Sequence, residues 1–147
     1  MPGEETISTG CQVDFYVLKE PSADPGKLAC SLALMTWERN QRVYVVAASE
    51  TAAKQIDELM WQHPEGRFLP HAVAGDSNAA KTMINVGTLS ALNQADVVIN
   101  LCPEAVPQLE KYNRILEIVP FADREASRAK FRVYRKFGVT PRTQEID

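Results

Sequence analysis

The sequence has no GxGxxG fingerprint and no GxxxxGK(S/T) loop, and only 7 of its 147 residues are glycine. Both signatures need glycines where backbone N–H groups close around a phosphate, so neither standard nucleotide-binding turn is present. The stretch Asp24-Pro25-Gly26-Lys27 has one glycine beside an acid that would repel a phosphate. The 3 cysteines, Cys11, Cys30 and Cys102, are odd in number, far apart and outside any CxxC spacing. That excludes a disulfide framework and a zinc site and leaves buried free thiols as the expectation. The 2 histidines, His63 and His71, have no cysteine or carboxylate at a recognisable ligand spacing and read as turn and surface residues. No apolar run approaches the roughly 20 residues of a membrane span, and Met1-Pro2-Gly3-Glu4-Glu5 is no secretory signal, so a cytoplasmic location is expected. Asp57 and Glu58 are adjacent on a helix and point about 100° apart, poor geometry for paired carboxylates. With no converging acid, base and nucleophile, no catalytic residue, cofactor or metal is expected.

What the chain does have is apolar content: 45% of its residues, enough at this length for one domain that buries roughly 70% of its unfolded surface. Residues 12–18 (QVDFYVL), 42–48 (RVYVVAA) and 96–101 (DVVINL) are β-prone runs, with weaker ones at 82–86 and 114–119. Asp24 can cap and Pro25 can start a helix ending near Asn40, with Leu28, Leu32 and Met35 on one face. Ser49 caps a second helix whose stripe is Ala52, Ile56, Leu59 and Met60, stopped by His63-Pro64-Glu65-Gly66. A short helix is predicted over 104–111, with Pro103 at its first position accounting for Cys102-Pro103-Glu104, and a last helix over about 122–137. Strands alternating with helices predict a single α/β domain over 1–147, a largely parallel sheet with helices packed on it, and frayed ends at 1–10 and 142–147.

Charge is the least uniform feature. Between positions 124 and 142 stand Arg124, Arg128, Lys130, Arg132, Arg135, Lys136 and Arg142 against Glu125 alone, so this stretch carries +6 and, on a chain of net −3, the rest carries −9. Ala122, Ala126, Ala129 and Val133 recur at helical spacing and are expected to face the sheet, leaving Arg128, Phe131, Arg132 and Arg135 outward. Guanidinium groups around an aromatic can take carboxylates in bidentate fashion and frame an apolar pocket, which suits an acidic peptide ending in a hydrophobic residue. Trp61 and Phe68, at the end of the second helix and in the loop after it, are either a satellite core or an anchor for a partner.

The stretch Ile56-Asp57-Glu58-Leu59-Met60-Trp61 through Phe68-Leu69-Pro70-His71, with Ala74-Gly75-Asp76 behind it, resembles the chi subunit family of the bacterial DNA polymerase III holoenzyme. So do Asp14-Phe15-Tyr16-Val17-Leu18, Val119-Pro120-Phe121, Arg128 and Phe131-Arg132-Val133-Tyr134-Arg135, and in order and spacing the likeness covers nearly the whole chain. The resemblance implies a Rossmann-like fold with helices on both faces of the sheet and no nucleotide site. It also implies a non-catalytic accessory of the clamp loader that joins two partners at the replication fork. The psi subunit, or alternatively a repair helicase, would contact Trp61 and Phe68. The acidic C-terminal tail of single-stranded DNA-binding protein would contact Val119, Arg128, Phe131, Arg132 and Arg135, with DNA reached mainly indirectly. The alternative from the residues alone is that the basic helix binds single-stranded DNA itself; it is opposed by the lack of a stacking platform and by the −9 elsewhere.

Overall fold

In the computed structural model, which describes residues 10–76 and 79–146, seven parallel strands form one sheet in a Rossmann-like α/β arrangement. The strands are β1 (Gln12–Leu18), β2 (Val43–Ala47), β3 (His71–Val73), β4 (Ile84–Thr88), β5 (Val97–Asn100), β6 (Arg114–Val119) and β7 (Arg142–Ile146), and their spatial order is β3-β4-β2-β5-β6-β1-β7. Every residue of β2 and β5 is buried, as runs without polar alternation require when both faces are covered.

Three helices flank the sheet: α1 (Pro25–Glu38), α2 (Glu50–Met60) and α3 (Arg124–Lys136). The Asp24 carboxylate accepts from the backbone N–H groups of Gly26 and Lys27, and Ser49 Oγ accepts from Ala52 N, so both foreseen caps form. α1 and α2 pack through Ala29, Leu32, Ala33, Ala53 and Met60 onto Val43, Val45, Ile84, Val86, Val97 and Ile99. On the other face Tyr134 of α3 joins Val13, Phe15, Val46, Val98 and Ile115. Met35, expected on the core stripe of α1, is instead 50% exposed.

Two elements depart from the sequence reading more strongly. The predicted helix over 104–111 is absent; that segment is irregular, with Gln108 at a positive φ of 57°, and ends in a single 3-10 turn, Leu109–Lys111. The tail expected to fray forms β7 over Arg142–Ile146, paired with β1, while of the expected frayed start residues 1–9 lie outside the described residues. β7 is held by charge as well as by its ladder. Asp14 on β1, fully buried, accepts from Arg142 Nε at 3.1 Å, from Gln12 Nε2 at 2.9 Å and from the Arg114 guanidinium of β6. Burial would raise the Asp14 carboxyl, but the bonds from Arg114, Gln12 and Arg142 outweigh it and hold the group below the ordinary aspartate value.

Candidate binding surfaces

The seat of α3 is polar. Asn100 of β5 and Glu117 of β6 are register partners, and neither exposes any surface. Lys130 Nζ donates to Glu117 Oε1 and to the Cys102 carbonyl, both at 2.7 Å. The Tyr134 hydroxyl and Asn100 Nδ2 both donate to Glu117 Oε2, the latter at 2.8 Å. Desolvation pushes the Glu117 carboxyl up, and the Lys130 charge and the bonds from Lys130, Tyr134 and Asn100 oppose it. Burial, reinforced by the neighbouring Glu117, likewise raises the Tyr134 phenol.

This network explains two corrections at once. Asn100 Oδ1 accepts from Cys102 N at 3.0 Å, Asn100 Nδ2 reaches the Glu104 carbonyl at 2.7 Å, and the Tyr134 hydroxyl accepts from Val106 N at 2.9 Å. The backbone groups of 102–106 are thus bonded to side chains rather than to one another in a helical ladder, so no helix forms there. The same network sets the rotation of α3. Its buried residues are Lys130 and Tyr134, whereas Ala122, Ala129 and Val133, expected inward, are exposed. Glu117 demands a cation and a hydroxyl on the helix face that meets it, and alanines offer neither. A lone Asn in VVIN and a lone Glu in RILEIV were the available signals for this cluster.

Two of the seven basic residues are therefore structural: Lys130 is bound to Glu117 and Arg142 to Asp14. Arg128, Arg132 and Arg135 are exposed on α3, and Arg128 makes a surface contact with Glu125, at 3.3 Å. Phe131 is half-buried rather than outward, its ring 5.5 Å from that of Phe15. Between α3 and the β6-β1-β7 end of the sheet lies a cleft of about 210 Å³, lined by Phe15, Val17, Val119, Arg124, Arg128 and Phe131, with Ser127 and Thr143. The fold thus brings together Val119, Arg128 and Phe131. Arg132 and Arg135 do not line the cleft but continue along α3 beyond it, one and two turns from Arg128. Phe15, Val17 and Thr143 were not foreseen as lining residues, because only strand pairing brings β1 and β7 beside α3.

The second surface is at the other edge of the sheet and on its other face. Trp61, which caps α2, and Phe68 are 61% and 65% exposed, their ring centroids 6.0 Å apart. Trp61 also packs edge-on against His71 at 4.8 Å. His71 is no surface residue. It opens β3 with its side chain fully buried, Nδ1 lying 2.6 Å from the Leu69 carbonyl and Nε2 3.1 Å from an Asp57 carboxylate oxygen. His63 Nε2 lies 3.2 Å from Ser31 Oγ. The rings of Trp61 and Phe68 thus stand on a fixed base and still present their surface to solvent.

The three cysteines are buried, as expected, and burial pushes the thiols of Cys11 and Cys30 up to about 11 and about 12. Burial raises Cys102 as well. Among the described residues no group of His, Cys, Asp or Glu is placed to hold a metal ion, and no helix is long and apolar enough to cross a membrane.

Residues 11–142 match the family model described as DNA polymerase III chi subunit, HolC. The chain is 36% identical over 132 residues to the DNA polymerase III subunit chi of Pseudomonas aeruginosa, covering 86% of this chain and 91% of that protein. It is 31% identical over 121 residues to the Haemophilus influenzae subunit chi, covering 80% and 84%, and 23% identical over 133 residues to that of Escherichia coli, covering 84% and 90%. Among solved structures, S. cerevisiae Dbp5 bound to Nup159, Gle1, IP6 and ADP is similar with a TM-score of 0.68 at 7% identity over 97% of this chain. A DEAD box protein from Methanococcus jannaschii is similar at 0.63 and 11% identity over 97% of this chain. This chain spans 44% and 45% of those two, and at such identities the likeness is one of fold alone.

Proposed function

The chain belongs to the DNA polymerase III chi subunit family, a replication accessory subunit, and from that premise we propose that it joins the psi subunit of the clamp loader to the C-terminal tail of single-stranded DNA-binding protein without chemistry of its own. The observation that carries this reading is the cleft of about 210 Å³ that gathers Val119, Arg128 and Phe131 beneath α3. It is smaller than the roughly 300–1,000 Å³ of ordinary ligand pockets and suits a single side chain. An acidic tail ending in Ile-Pro-Phe puts its last ring between Val119, Phe15 and Phe131 and its terminal carboxylate on Arg128. Arg132 and Arg135 continue the positive charge along α3 toward the preceding aspartates. Burying one Phe supplies about 1.5–3 kcal/mol and each charge-assisted hydrogen bond roughly 1.5–3 before the tail's ordering cost, which places the contact near micromolar. Several tails along one coated strand then add avidity.

Trp61 and Phe68 form the psi surface in this reading, or alternatively that of a repair helicase, and their location at the far edge of the sheet leaves both partners room to bind together. Direct binding of single-stranded DNA by α3 is disfavoured, because Lys130 spends its charge on the buried Glu117 and Arg142, on β7, is paired with Asp14. Calorimetry with the tail peptide is the test. Arg128→Ala should weaken binding roughly ten- to over a hundredfold, as should deleting the peptide's terminal Phe. Trp61→Ala should remove co-purification with psi and leave tail affinity within about twofold. Equal losses from Arg128→Ala and Lys136→Ala would mean diffuse attraction to positive charge and no carboxylate pocket.

A further inference from the structure

The two exposed rings of the second surface reach it from opposite directions and meet over one buried side chain. Phe68 is 65% exposed while its neighbour Leu69 is buried, so the chain turns inward there and enters β3 at His71. Trp61 arrives from the other side, as the cap that ends α2. The side chain of His71 exposes no surface, and its ring touches both arms. Nδ1 lies 2.6 Å from the Leu69 carbonyl, and Nε2 lies 3.1 Å from the Asp57 carbonyl and 3.1 Å from a carboxylate oxygen of the same residue. Asp57 stands one helical turn before Trp61, so the turn of α2 that presents the indole also grips the imidazole. The indole rests edge-on against that ring, with centroids 4.8 Å apart.

The partners of His71 are all acceptors. Carbonyl and carboxylate oxygens cannot donate, and each ring nitrogen faces such oxygens. A neutral imidazole has one N–H and one lone pair, so it serves one arm and turns its lone pair on an oxygen of the other. With a proton on both nitrogens the ring serves both arms, and its bond to the Asp57 carboxylate is charge-assisted. Of the elements beside β3, α2 supplies Asp57 as the ionic partner of the ring, and its Lys54 and Glu58 are exposed. β4 has no titratable residue, and the 3-10 turn Ala79–Lys81 ends in an exposed lysine. In the loop before β3, Glu65 is exposed, Arg67 is paired with Glu38, and His63 bonds to Ser31.

We propose, on the reading that Trp61 and Phe68 anchor psi, that His71 is the positioning residue of this surface: its two N–H groups tie the last turn of α2 to the chain just after Phe68 and so set the 6.0 Å separation of the two rings. Psi never touches His71, which has no side-chain surface to offer. An anchor that must be ordered on binding contributes less than one already held in place, so loss of either N–H weakens psi without removing any contact to it. The tail cleft, beneath α3 at the other edge of the sheet, is independent of this ring.

Calorimetry on the full chain, with psi and with the tail peptide as control, tests this. His71→Phe keeps a ring beside Trp61 and removes both donors; it should weaken psi about tenfold or more and leave tail affinity within about twofold. His71→Gln keeps an N–H for Asp57 at any pH and should recover most of that loss. The parent's psi affinity should fall as pH rises, because the deprotonated ring turns a lone pair on an oxygen, and the profile of His71→Gln should lack that step. Should His71→Phe also lose tail binding and so be misfolded, the pH profiles of the parent and His71→Gln decide the matter. His71 has no positioning role if a folded His71→Phe binds psi as the parent does, if both variants lose affinity equally, or if the two pH profiles coincide. Psi binding that survives Trp61→Ala refutes the assignment of the psi surface and the role of His71 with it, whereas loss in Trp61→Ala with none in His71→Phe refutes only the role of His71.

Discussion

Lys130→Met separates a charge from its partner in a buried site. In the parent, Glu117 receives Lys130 at 2.7 Å, Asn100 at 2.8 Å and the Tyr134 hydroxyl, and Lys130 also serves the Cys102 carbonyl. Breaking a buried pair from one side typically costs about 3–5 kcal/mol. Here there is a ceiling, because Glu117 can take up a proton instead of staying charged. With an unfolded-state value near 4.3, holding that proton at pH 7 costs roughly 3.7 kcal/mol, to which the lost bond at Cys102 adds about 0.5–1.5. The sign follows from the direction of the shift. A carboxyl raised in the folded state gives stability that is full below its unfolded value and lost as pH rises through the folded one. Where the parent's Glu117 is ionised and the variant's is protonated, the deficit should therefore shrink by about 1.4 kcal/mol for each unit the pH falls. Urea unfolding of parent and variant at pH 7, 6 and 5 measures it, and Asp14 and the other carboxyls cancel in the difference. A loss below about 1 kcal/mol, or one that does not change with pH, would refute the buried-pair account of how α3 is seated.

The Asp14 carboxyl, held below its ordinary value, contributes stability that is present above about pH 4 and lost as pH falls through its folded value, so Asp14→Asn should flatten the acid limb of a stability–pH curve. Arg142→Ala should cost about 0.5–1.5 kcal/mol of stability in the same unfolding assay while leaving tail affinity within about twofold, because its partner is Asp14 and not the peptide. Glu125→Gln frees Arg128 from a surface contact worth at most about 1 kcal/mol and should strengthen tail binding up to about fivefold by calorimetry. Weaker tail binding by this variant would refute Arg128 as the group that takes the tail's carboxylate.

The sequence alone determined the class of fold and the positions of most strands, because RVYVVAA and DVVINL are apolar without alternation and such runs are stable only between two covering layers. It also determined both helix caps, since Asp24 and Ser49 act on backbone groups two or three residues away. Family order and spacing pointed to Val119, Arg128 and Phe131, and the fold brings these three to one cleft. Tertiary structure decided what local pattern could not carry. The alanine stripe of α3 pointed to the wrong inward face because periodicity reports apolar content, whereas this helix is seated by Lys130 and Tyr134 on a buried Glu117. The segment 102–106 has the composition of a helix start, yet Asn100, Lys130 and Tyr134 claim its backbone groups from positions up to 28 residues away. β7 looked like a frayed end because RTQEI has no apolar alternation; its stability comes from pairing with β1 and from Asp14, 128 residues distant in the chain. Local propensity acts over one or two turns, and a buried charge is satisfied by whatever the fold brings within 3 Å of it.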